Sequence, residues 1–265
     1  MKVLAIALFC AALSFSGARA EEGWVQMSDG VRVHFVDQGE GVAVVLLHGM
    51  TGSAASNYGE TGAINALARS HRVIAIDFRG HGRSDKPTHA EAYRPDRLVE
   101  DVLAVLDDRK VQRAHFVGYS IGGWTVRRLV SAAPRRVLSV VLGGDGVFDG
   151  GWRALGSEDA KGDDTSPPPA ASHLWDPKAD RPAYKAFGEG VSRPATYSDR
   201  PPFEAPVLQI LGQFDYPNTM SKLLKRQVSD YRLVVLPGRT HLTALADPGF
   251  TQAILRFIDD DDPVR

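Results

Sequence analysis

Ala114-His115-Phe116-Val117-Gly118-Tyr119-Ser120-Ile121-Gly122-Gly123 is the stretch whose reading decides the fold. A short apolar run ends in a serine with glycine two residues before it and two residues after it. Ile121 to Ala133 then carries helical spacing and stops before Pro134. Strand, serine and helix in immediate succession read as a nucleophile elbow. The turn is so sharp that side chains at the flanking positions would collide with neighbouring strand and helix, so glycine is required there. The serine hydroxyl is thereby left standing above the edge of a sheet.

Working outward, Trp24 to Val36 alternates, with Val31, Val33 and Phe35 on one face and a turn at Ser28-Asp29-Gly30. That pattern predicts an antiparallel edge hairpin. Val42–Leu47, Val73–Ile76, Val137–Leu142, Val207–Leu211 and Arg232–Leu236 are runs apolar on both faces. Strands inside a helix-covered parallel sheet read this way. Helical spacing lies between them at Ala63–Ala68, Arg94–Leu106, Met220–Gln227 and Thr251–Ile258. Alternating strands and helices predict a doubly wound α/β sheet. Residues 150–206, rich in Gly, Pro, Ala, Ser and Asp but holding Trp152, Trp175, Tyr184 and Phe187, break the rhythm. They are expected to form a small cap inserted into a core made of residues 21–149 and 207–265.

Serine is a weak nucleophile at neutral pH and needs a base, which in turn needs an orienting carboxylate. His241 follows the run ending at Leu236 by a short loop and is the expected base. Asp215, just after Val207–Leu211 and Gly212, is the candidate carboxylate; Asp145, after Val137–Leu142, is its rival. A developing oxyanion needs fixed N–H donors. Ile121 is expected to supply one and Met50, in His48-Gly49-Met50-Thr51-Gly52, the other, with Gly49 letting the backbone turn inward. Asp77-Phe78-Arg79-Gly80-His81-Gly82-Arg83-Ser84-Asp85 also mixes acid, base and hydroxyl, but is expected to be structural, with Asp77 and Arg79 bonding neighbouring loops. From position alone, Trp124, Phe148 and Trp152 are the expected substrate contacts, and Tyr119 is as well suited to packing as to function.

Residues 1–20 read as a secretory signal: Met1-Lys2, an apolar run from Val3 to Phe15, and Ala18-Arg19-Ala20 at the cleavage position. Removal takes away Lys2, Arg19 and Cys10, the single cysteine, so a mature chain forms no disulfide and offers no thiolate to a metal. The mature chain is mildly acidic and has no basic block, which argues against nucleic acid or an anionic membrane as partner. Its length suits one large α/β domain.

The elbow, the His-Gly segment, Asp215 and His241 together resemble the α/β-hydrolase superfamily, in its serine esterase-like and C–C-bond-hydrolase-like branch, over about Val31 to Ile258. The resemblance implies an eight-stranded, mostly parallel sheet with helices on both faces, a Ser120–His241–Asp215 triad, and neither metal nor organic cofactor. Related haloalkane dehalogenases and epoxide hydrolases carry aspartate at the elbow, so Ser120 argues against both. The expectation is an exported serine hydrolase, periplasmic or secreted, acting on a small carboxylic ester. The alternatives are lactone, amide or C–C hydrolysis on the same residues, or a protein that binds a small ligand without turnover.

Overall fold

The computed structural model describes residues 20–145, 181–198, 202–215 and 224–260. The expected signal segment lies outside these apart from Ala20, as do Phe148, Trp152 and, of the expected cap, residues 150–180 and 199–201.

Eight strands form one sheet: β1 (Glu21–Gln26), β2 (Arg32–Gln38), β3 (Ala43–Leu47), β4 (Arg72–Ile76), β5 (Ala114–Tyr119), β6 (Val137–Gly143), β7 (Val207–Gly212) and β8 (Tyr231–Leu236). Their spatial order is β1-β2-β4-β3-β5-β6-β7-β8. β1 and β2 form the antiparallel hairpin, β2 meets β4 antiparallel, and every pairing from β4 through β8 is parallel. β3 and β5 are buried throughout, as strands with helices on both faces must be.

Among the described residues the α-helices that cover it are α1 (Ala63–Leu67), α2 (Pro95–Asp108), α3 (Ile121–Ala132), α4 (Arg181–Val191) and α5 (Pro248–Asp260). Proline opens α2 at a position where its missing N–H has no intrahelical partner to lose. Leu98, Val102, Val105 and Leu106 then form the stripe that α2 buries. At α5 the Asp247 carboxylate accepts the Gly249 N–H at 2.8 Å, and Phe250, Ile254, Phe257 and Ile258 face the sheet. One core cluster joins α2, α3 and α4 to one sheet face; the other joins α1, α5 and residues 54–58 to the opposite face.

Two elements depart from the periodicity reading. Ala54–Gly59 forms a π-helix, opened by a capping box in which Ser53 and Ser56 hydrogen-bond each other's backbone. Its Glu60 N–H reaches the Ala55 carbonyl, five residues back, at 2.8 Å. Helix α4 lies within the expected cap segment; Pro182, Gly188 and Gly190 disguise it, while Ala183, Ala186, Phe187 and Val191 are its buried side. Gly190 fits closely against Tyr93 and the Ala90 carbonyl. Near α4, the Thr196 N–H bonds the Asp96 carboxylate at 3.0 Å. Residues 224–227, the described part of the expected Met220–Gln227 helix, are helical.

Candidate active site

β5 delivers Ser120 to the edge of the sheet at φ 53° and ψ −113°, a backbone conformation rare for any residue with a side chain. Such strain persists only where the surroundings over-determine it. Here the Ser120 N–H bonds the Gly143 carbonyl of β6 at 2.8 Å, and its carbonyl accepts the Trp124 N–H at 3.0 Å. A Cβ on Gly118 would collide with the Gly122 backbone, and one on Gly122 with the Leu47 carbonyl oxygen of β3. The two glycines of the motif are therefore required by close approach of backbone to backbone.

Two loops after β7 and β8 bring the partners. The Gln213 N–H bonds the Leu236 carbonyl at 2.9 Å and the Phe214 N–H bonds the Arg239 carbonyl at 2.8 Å, so the loops carrying Asp215 and His241 are laced together. His241 Nδ1 lies 3.0 Å from Asp215 Oδ1, and His241 Nε2 lies 3.1 Å from Ser120 Oγ. A carboxylate can only accept, so Nδ1 carries the proton and Nε2 is left to accept the serine hydroxyl. Burial of the ring opposes its positive form, but Asp215 outweighs this and raises the His241 pKa above its ordinary value, with a smaller push from Asp145. Tyr119, fully buried, donates its hydroxyl to the His241 carbonyl, and Gly144 leaves room for the imidazole.

Asp145 is engaged elsewhere. Its carboxylate meets Arg127 of α3 at 2.9 Å to Nε and 3.3 Å to Nη2, both side chains being buried. Its carbonyl accepts the Gln209 amide at 2.7 Å. Of the two carboxylates weighed from sequence, Asp215 is the one hydrogen-bonded to His241.

Ile121 is the first residue of α3, where the N–H has no intrahelical acceptor. Met50 is half-buried in the loop after β3, which packs against the start of α3 where Gly122 meets the Leu47 and His48 carbonyls. Both expected donors thus come from touching segments beside Ser120. Trp124 is 6% exposed, and the Arg128 guanidinium lies 3.6 Å from its ring centroid; its indole is largely enclosed. Phe148 and Trp152 lie outside the described residues.

The Asp77–Asp85 segment holds loops together. Arg79 reaches both Asp101 oxygens at 2.7 Å, Asp29 at 2.7 Å and the Ala92 carbonyl at 2.7 Å. Asp77 accepts the Ala54 N–H at 2.7 Å and the Arg83 N–H at 2.9 Å, and pairs with His34 at 2.9 Å. His81 is buried between His48 and the Tyr184 and Phe187 rings of α4, with centroid distances of 5.2, 5.4 and 4.7 Å. Burial, followed by the nearby His48, lowers its pKa to about 3. Among the described residues no group of three or more His, Cys, Asp or Glu side chains could hold a metal ion. No described helix is long and apolar enough to cross a membrane.

Sequence reasoning passed over Tyr119 as a support of the His241 loop, and it passed over Asn57 altogether. Asn57 belongs to no spaced pattern; only its burial beneath the loop 48–52 reveals it.

Residues 42–178 match the model of the alpha/beta hydrolase fold family. A 2-hydroxymuconate semialdehyde hydrolase of Pseudomonas putida is 38% identical over 119 residues, which is 44% of this chain and 41% of that protein. The chain spans less than half the length of the curated relatives it matches. Among solved structures, a hydrolase from Pseudomonas aeruginosa PA01 superposes with a TM-score of 0.70 at 26% identity, covering 89% of this chain and 98% of that one. Est816, described as an N-acyl homoserine lactone degrading enzyme, superposes with a TM-score of 0.68 at 26% identity, covering 89% and 99%.

Proposed function

The chain belongs to the alpha/beta hydrolase family, and on that footing we propose that it is a serine hydrolase cleaving carboxylic esters through an acyl-enzyme. The observation that carries the proposal is the unbroken path from Ser120 Oγ to His241 Nε2 at 3.1 Å and from His241 Nδ1 to Asp215 at 3.0 Å. In that reading His241 takes the hydroxyl proton as Ser120 Oγ attacks the ester carbonyl carbon. The Asp215 carboxylate, 1% exposed at its side chain, stabilises the imidazolium that forms. The N–H groups of Met50 and Ile121 receive the oxyanion. His241 then gives its proton to the leaving alkoxide as the C–O bond breaks. In the second half, water attacks the acyl-serine with His241 again as base, releasing the acid and restoring Ser120.

A lactone is an ester closed on itself and follows the same steps. The 26% identity to Est816 over nearly its whole length favours including lactones among the substrates. Ser120 at the elbow supports acyl transfer over the aspartate chemistry of epoxide-opening relatives. The proposal extends to export through residues 1–20 and to a cap formed by residues 150–206, of which α4 would be part.

The test is covalent labelling of the purified protein by a fluorophosphonate, read by intact mass beside Ser120→Ala. One added phosphonyl group on the wild type and none on the variant is expected. A folded wild-type protein that stays unlabelled and hydrolyses no p-nitrophenyl ester would overturn the proposal in favour of ligand binding without turnover.

A further inference from the structure

We infer that Asn57, carried on the π-helix, is the positioning residue that aims the Met50 N–H; the inference rests on the serine-hydrolase reading above. An N–H stabilises a developing oxyanion only if its direction is fixed before the reaction begins. The loop 48–52 has no regular structure to fix it. The His48–Gly49 and Gly49–Met50 peptide units must therefore be held by other means.

The geometry supplies them. Asn57 is fully buried, and its Oδ1 accepts the Gly49 N–H at 2.9 Å, which sets the plane of the His48–Gly49 peptide. The next plane carries the Gly49 carbonyl and the Met50 N–H, which point in opposite directions across a planar trans unit. That carbonyl accepts His48 Nδ1–H at 2.7 Å and the Gly52 N–H at 3.1 Å. The Phe78 N–H donates to His48 Nε2 at 3.0 Å, so the ring proton must sit on Nδ1 and face the Gly49 carbonyl. With its carbonyl pinned by two donors, the unit presents the Met50 N–H on its other side. Asn57 closes the arrangement from beneath: its amide lies where any side chain on Gly52 would have to go, at 2.5 Å from the position of a Cβ.

The π-helix is itself anchored at both ends. The Ala54 N–H bonds Asp77 at 2.7 Å, and the Tyr58 hydroxyl donates to the Leu47 carbonyl at 2.9 Å. The hydrogen bonds thus run from β3 and the end of β4, through residues 54–58, to the loop that packs against the start of α3. Irregular helical turns of this kind often occur at functional sites. Here the irregularity places Asn57 under Gly49.

The experiment compares wild type, Asn57→Leu and Asn57→Asp on phenyl butyrate and phenyl thionobutyrate. Sulfur is a poor hydrogen-bond acceptor, so the ratio of the two rates reads how well the N–H donors meet oxygen, whereas a general loss of structure lowers both rates alike. Asn57→Leu has similar volume and no acceptor. It is expected to lower kcat on the oxygen ester by about 10–100-fold, less than outright loss of a donor, with KM little changed and the oxygen-to-sulfur ratio falling. Asn57→Asp keeps an acceptor and should retain the wild-type ratio. Should Asn57→Leu fail to fold, Asn57→Ser, whose shorter side chain falls short of Gly49, is measured in its place. An unchanged ratio in a folded Asn57→Leu or Asn57→Ser protein overturns the inference while leaving the hydrolase reading intact. A wild type that neither takes up fluorophosphonate nor turns over overturns both.

Discussion

Replacing Asp215 by Asn should abolish most turnover while leaving the fold in place. The side chain is 1% exposed and its Oδ1 lies 3.0 Å from His241 Nδ1. An amide of the same shape can still accept that hydrogen bond through its oxygen, but it carries no charge to balance the imidazolium. Two unit charges at 3.0 Å interact by about 5.5 kcal/mol at an effective dielectric of ~20. A third of the His241 side chain is exposed, and doubling the dielectric for solvent screening halves this to about 2.8 kcal/mol. At about 1.4 kcal/mol per tenfold, kcat should fall roughly 10²–10⁴-fold. The assay is steady-state hydrolysis of p-nitrophenyl butyrate across pH, with thermal unfolding as control. Because the base acts as neutral imidazole, wild-type kcat should rise with pH through a raised His241 pKa and then level off. Asp215→Asn should move that inflection downward, since Asp215 is what raises it against burial. A variant within tenfold of wild type would refute the reasoning. So would an equal loss of kcat in Asp145→Asn, which is expected to act through stability, by about 3–5 kcal/mol, because it leaves Arg127 buried without its carboxylate.

Gly122→Ala should destabilise the protein by at least ~2 kcal/mol and abolish fluorophosphonate labelling, because its Cβ would strike the Leu47 carbonyl; urea unfolding and intact mass check both. Asp101→Ala strips the bidentate partner from buried Arg79 and should lower Tm by roughly 6–12 °C, with Asp29 holding the loss at the lower end of a broken buried pair. His81→Phe should flatten the acid side of the stability curve. The folded-state pKa of His81 is depressed to about 3, so the unfolded chain takes up a proton first as pH falls below 6.5, and the native state loses on the order of 4 kcal/mol by pH 3. Phe keeps the ring contacts with Phe187 and cannot titrate, so chemical denaturation at pH 4 and pH 7 should differ less in the variant.

Much of this was legible in the chain because the signals were short-range. β3, β5 and β7 were apolar runs, and runs buried on both faces announce themselves without knowledge of their neighbours. Arg232–Leu236 reads the same way, yet β8 is the sheet's last strand and leaves Leu233 and Val235 exposed, because nothing in the run itself says that one side lacks a neighbour. Ser120, His241 and Asp215 stood out because each follows a strand end, where a parallel sheet gathers its loops. Asp145 stands after a strand end in the same way as Asp215. What separates the two is Arg127, whose position opposite Asp145 is fixed by the packing of α3 and could not be counted off from sequence. Helix α4 was hidden because Pro182, Gly188 and Gly190 are the residues that usually mark loops, and tertiary contact with Tyr93 and His81 overrides that preference. The π-helix has no period to detect, since its reason for existing lies in the loop it supports.

That π-helix places an unusual demand on the chain. The Glu60 N–H reaches back five residues to Ala55, one more than an ordinary turn allows. Deleting Ser56, which lies inside that five-residue span, would bring the Ala55 carbonyl and the Glu60 N–H to the ordinary four-residue separation without changing the character of any remaining side chain. It would also rotate the following side chains by about 100° about the helix axis. Asn57 would then swing away from Gly49. At this point the protein is specified by a number of residues as much as by their identity, so drift by substitution and drift by deletion meet different fates: alanine or serine can trade places at Ala55 while the count cannot change.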